Sequence, residues 1–87
     1  MIIMGTNRWE TDIPKDLLVM QALKFAEDVK TQGIAELRDF LMANDQKLLW
    51  CTWETDNLEA LEAAFAEMNK QSGLISELTP GKDMYPE

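Results

Sequence analysis

Eighty-seven residues with 46% hydrophobic content suit one small globular domain, and are too apolar for a disordered acidic tail. Sixteen Asp and Glu against eight Lys and Arg leave a formal charge of −8, which repels phosphate backbones and anionic bilayers and argues against nucleic acid or membrane partners. With no histidine and one cysteine, Cys51, the chain has neither the imidazole and thiolate set of a transition-metal site nor the means for an internal disulfide.

No signal peptide is expected from "MIIMGTNRWE", which lacks a basic leader and a small-residue cleavage pattern, and no apolar run approaches the ~18 residues of a membrane span. A lone thiol suits a reducing compartment, so the expected location is cytoplasmic. A chain this short buries only about 60–65% of its unfolded surface. Pairing with a second copy is the expected remedy.

In chain order, "IIMGTNRWE" reads as a strand, and Asp12 and Pro14 begin a helix over "PKDLLVMQALKFAEDVKTQG", because proline is tolerated where a helix's first donors are free. Leu18, Ala22, Phe25, Ala26 and Val29 form its apolar face, and Gly33 stops it. The segment 34–42 fits either a helical face or a strand. The strand is preferred, with Glu36, Arg38, Phe40 and Met42 alternating against Ala35, Leu37, Asp39 and Leu41, and with "AND" as the turn that follows.

"KLLWCTWE" is apolar at both parities, Leu48 and Trp50 on one face and Leu49, Cys51 and Trp53 on the other, as in a strand covered on both sides. Asp56 with Glu59 has the form of a capping box ahead of a helix whose stripe is Leu58, Leu61, Phe65 and Met68 and whose stop is Gly73. "LISELT" is the last strand, ended by Pro80-Gly81. The domain is expected to span 1–80, with an extended tail at 81–87 in which Tyr85 makes a surface contact.

The phrase Trp-Glu-Thr-Asp occurs at 9–12 and again at 53–56, each time where a strand gives way to a helix, and the glycine stops repeat as well. The chain is two copies of strand, helix, strand. Right-handed crossovers then predict a ferredoxin-like α+β fold, βαββαβ: a four-stranded antiparallel sheet with both helices on one face and the first and third strands central. The opposite face needs a cover, and the same face of a second copy, across a two-fold axis, is the expected one.

"KLLWCTWETDNLEALEAAFAEMN" resembles the strand-then-helix element of the dimeric α+β barrel superfamily, in particular its small stand-alone domains. That resemblance implies a homodimer packed sheet to sheet, with room between sheet and helices for an aromatic ligand. Asn7-Arg8 is similar to the asparagine–arginine pair of haem-degrading monooxygenases in that superfamily, but the histidine that holds haem iron there has no counterpart here. No cofactor is expected.

Trp9, Trp50 and Trp53 either fill the core and the dimer contact, which is the expectation, or line a slot for a flat ligand. Asn7 and Arg38 are the polar groups placed to enter such a slot, although for each a solvated strand end or an ion pair with Glu36 or Asp39 is the expected account. The two Trp-Glu-Thr-Asp corners are expected side by side, gathering Glu10, Asp12, Glu54 and Asp56. These carboxylates can hold Mg²⁺ or Ca²⁺ or cap the two helices; capping is the expectation, and no metal site is assigned.

The functional expectation is a homodimeric small-molecule binding, sensing or assembly domain. The competing one is a cofactor-independent monooxygenase or isomerase acting on an aromatic or hydrophobic compound, with Asn7 polarising an oxygen and Trp50 or Trp53 stacking on the substrate.

Overall fold

The structure, a computed structural model, describes residues 1–82; the expected tail beyond Lys82, with Tyr85, lies outside them. Six elements follow the expected order: β1 (Ile2–Arg8), α1 (Lys15–Thr31), β2 (Glu36–Met42), β3 (Leu48–Glu54), α2 (Leu58–Ser72) and β4 (Ile75–Gly81). The strands form one antiparallel sheet in the order β2-β3-β1-β4, so β1 and β3 are central. The chain has the ferredoxin-like α+β fold, and 34–42 contains a strand.

Side-chain alternation divides the sheet. Ile3, Gly5 and Asn7 of β1 lie beside Trp53, Cys51 and Leu49 of β3, all buried toward the helices. Helix α1 sends Leu18 and Val29 into this layer, and α2 sends Leu61 and Phe65. Phe25, Trp53 and Phe65 meet edge to face at centroid distances of 4.8–5.7 Å, the geometry that aromatic quadrupoles favour. Gly5 is needed where it stands: a Cβ there would come within 2.7 Å of the Cys51 Sγ on the neighbouring strand.

Four expectations need correction. The two Trp-Glu-Thr-Asp corners are not side by side, because β1 and β3 run antiparallel: Glu54 pairs with Ile2 and Arg8 with Leu48, which sends the corners to opposite ends of the sheet. Neither aspartate caps a helix. Asn57 caps α2 by accepting a hydrogen bond from the Ala60 amide, one residue later than the expected cap, and α1 starts at Pro14 without a side-chain cap. Strict alternation along β2 fails at an irregularity between Leu37 and Asp39, so that Leu37 pairs with Trp53 and Phe40 with Cys51. Finally, β4 continues through Pro80, which an edge strand tolerates because one side of its backbone needs no partner.

Candidate functional site: an apolar cavity beside Asn7

Between the helices and the sheet lies a cavity of about 30 Å³. Its wall is almost wholly apolar, with Trp9, Phe25, Leu49, Trp53 and Phe65 among the lining residues and Asn7 the one buried amide. Register explains why Asn7 is held so firmly. On the central strand it sits between Leu49 of β3 and Ser76 of β4, and it bonds to both neighbours. Ser76 Oγ donates to Asn7 Oδ1 at 2.5 Å, while Asn7 Nδ2 donates to the Leu49 carbonyl at 3.3 Å and to Cys51 Sγ at 3.5 Å.

The asymmetry of those bonds matters chemically. The amide oxygen is taken up by a short bond, whereas the Nδ2 donor has only long ones, and a weakly held buried donor is the group an incoming oxygen can engage at least cost. Asn69 of α2 extends the polar string, lying 3.3 Å from Ser76 Oγ. The string ties β1, β4 and α2 together behind a largely apolar wall.

Cys51 is buried on the same wall. Its sulfur accepts from Trp53 Nε1 at 3.0 Å and donates to the Gly5 carbonyl at 3.8 Å. Burial pushes the thiol above its ordinary range, against the hydrogen bonds it accepts from Trp53 and Asn7, which pull it down. A raised thiol pKa supports the fold below the unfolded value of ~8.5 and loses that support as pH climbs through the folded value. Cys51 is therefore a neutral, unreactive wall residue near neutral pH.

Of the five residues singled out from sequence, Asn7, Trp9 and Trp53 come together on this cavity. Trp50 does not: it pairs with Thr6 and Leu41 on the helix-free face. Arg38 sits exposed at the β2 irregularity and does not line the cavity either. Ser76 and Asn69 carry no signal in the sequence, because they become partners only when β4 is laid against β1. The period-2 pattern of "ISEL" puts Ser76 and Leu78 on one face, but it does not say which strand they join.

Trp9 stands where the interior meets an outer cleft of about 480 Å³ formed by the β1–α1 connection and the β2–β3 turn. Two lysines tie those loops. Lys15 Nζ donates to the Asn44 carbonyl at 2.8 Å, and Lys47 Nζ donates to the Glu10 carbonyl at 3.1 Å and pairs with Asp12 at 2.9 Å. The bond from Lys47, and then its charge, hold the Asp12 carboxyl below the usual carboxylate range. No group of three or more Asp, Glu, Cys or His side chains suited to a metal ion occurs among the described residues. Nor is any helix among them long and apolar enough to cross a membrane.

No protein-family model matches the chain, and no curated protein matches it in sequence. Solved structures match it over nearly its whole length. An antibiotic biosynthesis monooxygenase superposes with a TM-score of 0.62 at 9% identity, covering 95% of this chain and 100% of its own. A mutant of SnoaB, a cofactor-independent oxygenase from Streptomyces nogalater, gives 0.62 at 13% identity over 99% of this chain and 98% of its own. An uncharacterised NIPSNAP domain protein from Burkholderia xenovorans gives 0.54 at 13% identity, with both chains fully covered. At these identities the likeness is one of fold alone, the ferredoxin-like α+β arrangement.

Proposed function

We propose that this protein is a cytoplasmic, homodimeric small-molecule-binding domain whose ligand is a small, flat, apolar compound carrying one oxygen. The observation that supports it is the cavity wall, which presents aromatic rings and one buried, weakly engaged amide donor, Asn7 Nδ2. A cavity of about 30 Å³ holds only a water or two, whereas ligand sites usually measure roughly 300–1,000 Å³. Admission therefore requires a helix to shift off the sheet, to which α1 and α2 each commit only two buried residues.

The dimer reading is supported by the other side of the sheet. Met4, Leu41 and Ile75 are exposed there and Trp50 is only partly covered, with Thr6 and Thr52 between them. Light scattering at micromolar concentration should give twice the 10.0 kDa chain mass, and Trp50→Glu should return it to one chain. A single-chain mass for the unaltered protein would defeat the dimer.

A second reading is favoured by the fold match to an antibiotic biosynthesis monooxygenase and to a cofactor-independent oxygenase. In it, Asn7 Nδ2 stabilises negative charge developing on a substrate oxygen, Trp9 and Trp53 hold the ring, and dioxygen is the oxidant. Dioxygen uptake with 1-naphthol or anthrone that is lost in Asn7→Leu supports this reading; binding without uptake supports the first.

A further inference from the structure

The outward side of α1 carries an apolar stripe that nothing in the subunit covers. Leu17, Met20 and Leu23 are 44%, 68% and 52% exposed, while the inward side of the same helix buries Leu18 and Val29. At about 100° per residue the three side chains span an arc of roughly 120° centred on Met20. Asp16 and Lys24 fall within that arc, about 40° to either side of Met20 and one turn away along the axis; both are exposed, and neither takes part in an ion pair among the described residues.

The spacing about Met20 is symmetric in shape and antisymmetric in charge. Leu17 and Leu23 stand three residues to either side; Asp16 and Lys24 stand four residues to either side with opposite signs. A two-fold axis beside Met20, with two such helices antiparallel, sets each residue level with the one equally far on the other side. Leu17 then comes level with the partner's Leu23, Met20 meets its own copy, and Asp16 comes level with the partner's Lys24, twice over. A parallel pairing would instead align Asp16 with Asp16 and Lys24 with Lys24, which like-charge repulsion opposes.

We propose that α1 is a self-association surface which docks antiparallel on α1 of a second copy. This goes beyond the binding reading and does not rest on it. The helix-free sheet face lies on the other side of the subunit, so both contacts can form at once, and two two-fold contacts on opposite sides join dimers into tetramers or longer assemblies. Three apolar residues per copy fall well short of the roughly 1,200–2,000 Å² that stable interfaces bury. The contact is accordingly concentration-dependent, and it strengthens when a dimer presents two stripes together.

The test uses the full chain with Met20→Cys, since Cys51 is buried and does not compete, and compares mild oxidative cross-linking with that of Glu62→Cys on the exposed side of α2. Met20→Cys should form cross-linked pairs about tenfold faster, Asp16→Lys added to it should remove most of that advantage, and Lys24→Asp added to both should restore it. All of these positions are exposed, so the fold is kept, which circular dichroism checks. Cross-linking no faster than at position 62, or an Asp16→Lys loss that Lys24→Asp fails to reverse, would overturn the proposal. Because the sheet contact is not disturbed by these changes, its presence or absence leaves the outcome readable.

Discussion

The two Trp-Glu-Thr-Asp phrases share four residues and a place in the grammar of the fold, yet they do different physical work. In the second copy Trp53 lies in the main core between Phe25 and Phe65, and its indole N–H bonds Cys51. Thr55 is buried, donating to the Ile34 carbonyl at 2.6 Å and accepting from the Asn57 amide at 3.0 Å. In the first copy Trp9 packs in a smaller cluster with Leu18 and Leu49, Thr11 is exposed, and Asp12 meets Lys47 in solvent. Identical letters fix the change from strand to helix. What surrounds each corner fixes how much it contributes.

That contrast can be broken experimentally, beginning with the rings. Trp53→Ala should cost about 4–5 kcal/mol and Trp9→Ala about 3 kcal/mol in denaturant unfolding, because the first removes two edge-to-face contacts and a buried hydrogen bond as well as volume. Equal losses would mean that the two corners are energetically alike after all. For a domain of this size, whose whole stability is roughly 4–13 kcal/mol, the Trp53 change removes a large share.

The threonines sharpen the same point at smaller scale. Thr55→Val leaves a partly buried carbonyl without its donor and should cost about 1–3 kcal/mol, while Thr11→Val should stay within about 0.5 kcal/mol. Smallest of all is the acid. Because Lys47 lowers the Asp12 pKa in the folded chain, that ion pair supports the fold above the ordinary carboxylate range and its support is lost as pH falls through the lowered value. Asp12 is fully exposed, so Asp12→Asn should shift the acid limb of a stability profile only slightly, and the shift should vanish in high salt.

Periodicity alone carried most of the architecture. The apolar parity of 48–54 gave a strand covered toward the helices and left a second greasy side, and the glycines at 33 and 73 take positive φ as helix stops require. The candidate site was only half legible. Asn7, Trp9 and Trp53 could be proposed because aromatic and amide residues on central strands point to a slot, but sorting Trp50 to the opposite face from Trp53 was a matter of parity, whereas the placement of Arg38 depended on an irregularity in β2 that alternation does not announce. The Asn7–Ser76–Asn69 string spans three elements far apart in sequence, and it exists only through the pairing of β4 with β1. The corner error had the same root: repeated phrases suggest neighbourhood, but antiparallel strands separate what they repeat.

The three indole N–H groups provide the most direct test of the account, since two belong to the cavity wall and one to the helix-free face. In a ¹H–¹⁵N spectrum recorded during titration with 1-naphthol, the signals of Trp9 and Trp53 should move together in the unaltered protein while that of Trp50 stays in place. Movement of Trp50 alone, or of none of the three, would contradict a ligand site beside Asn7.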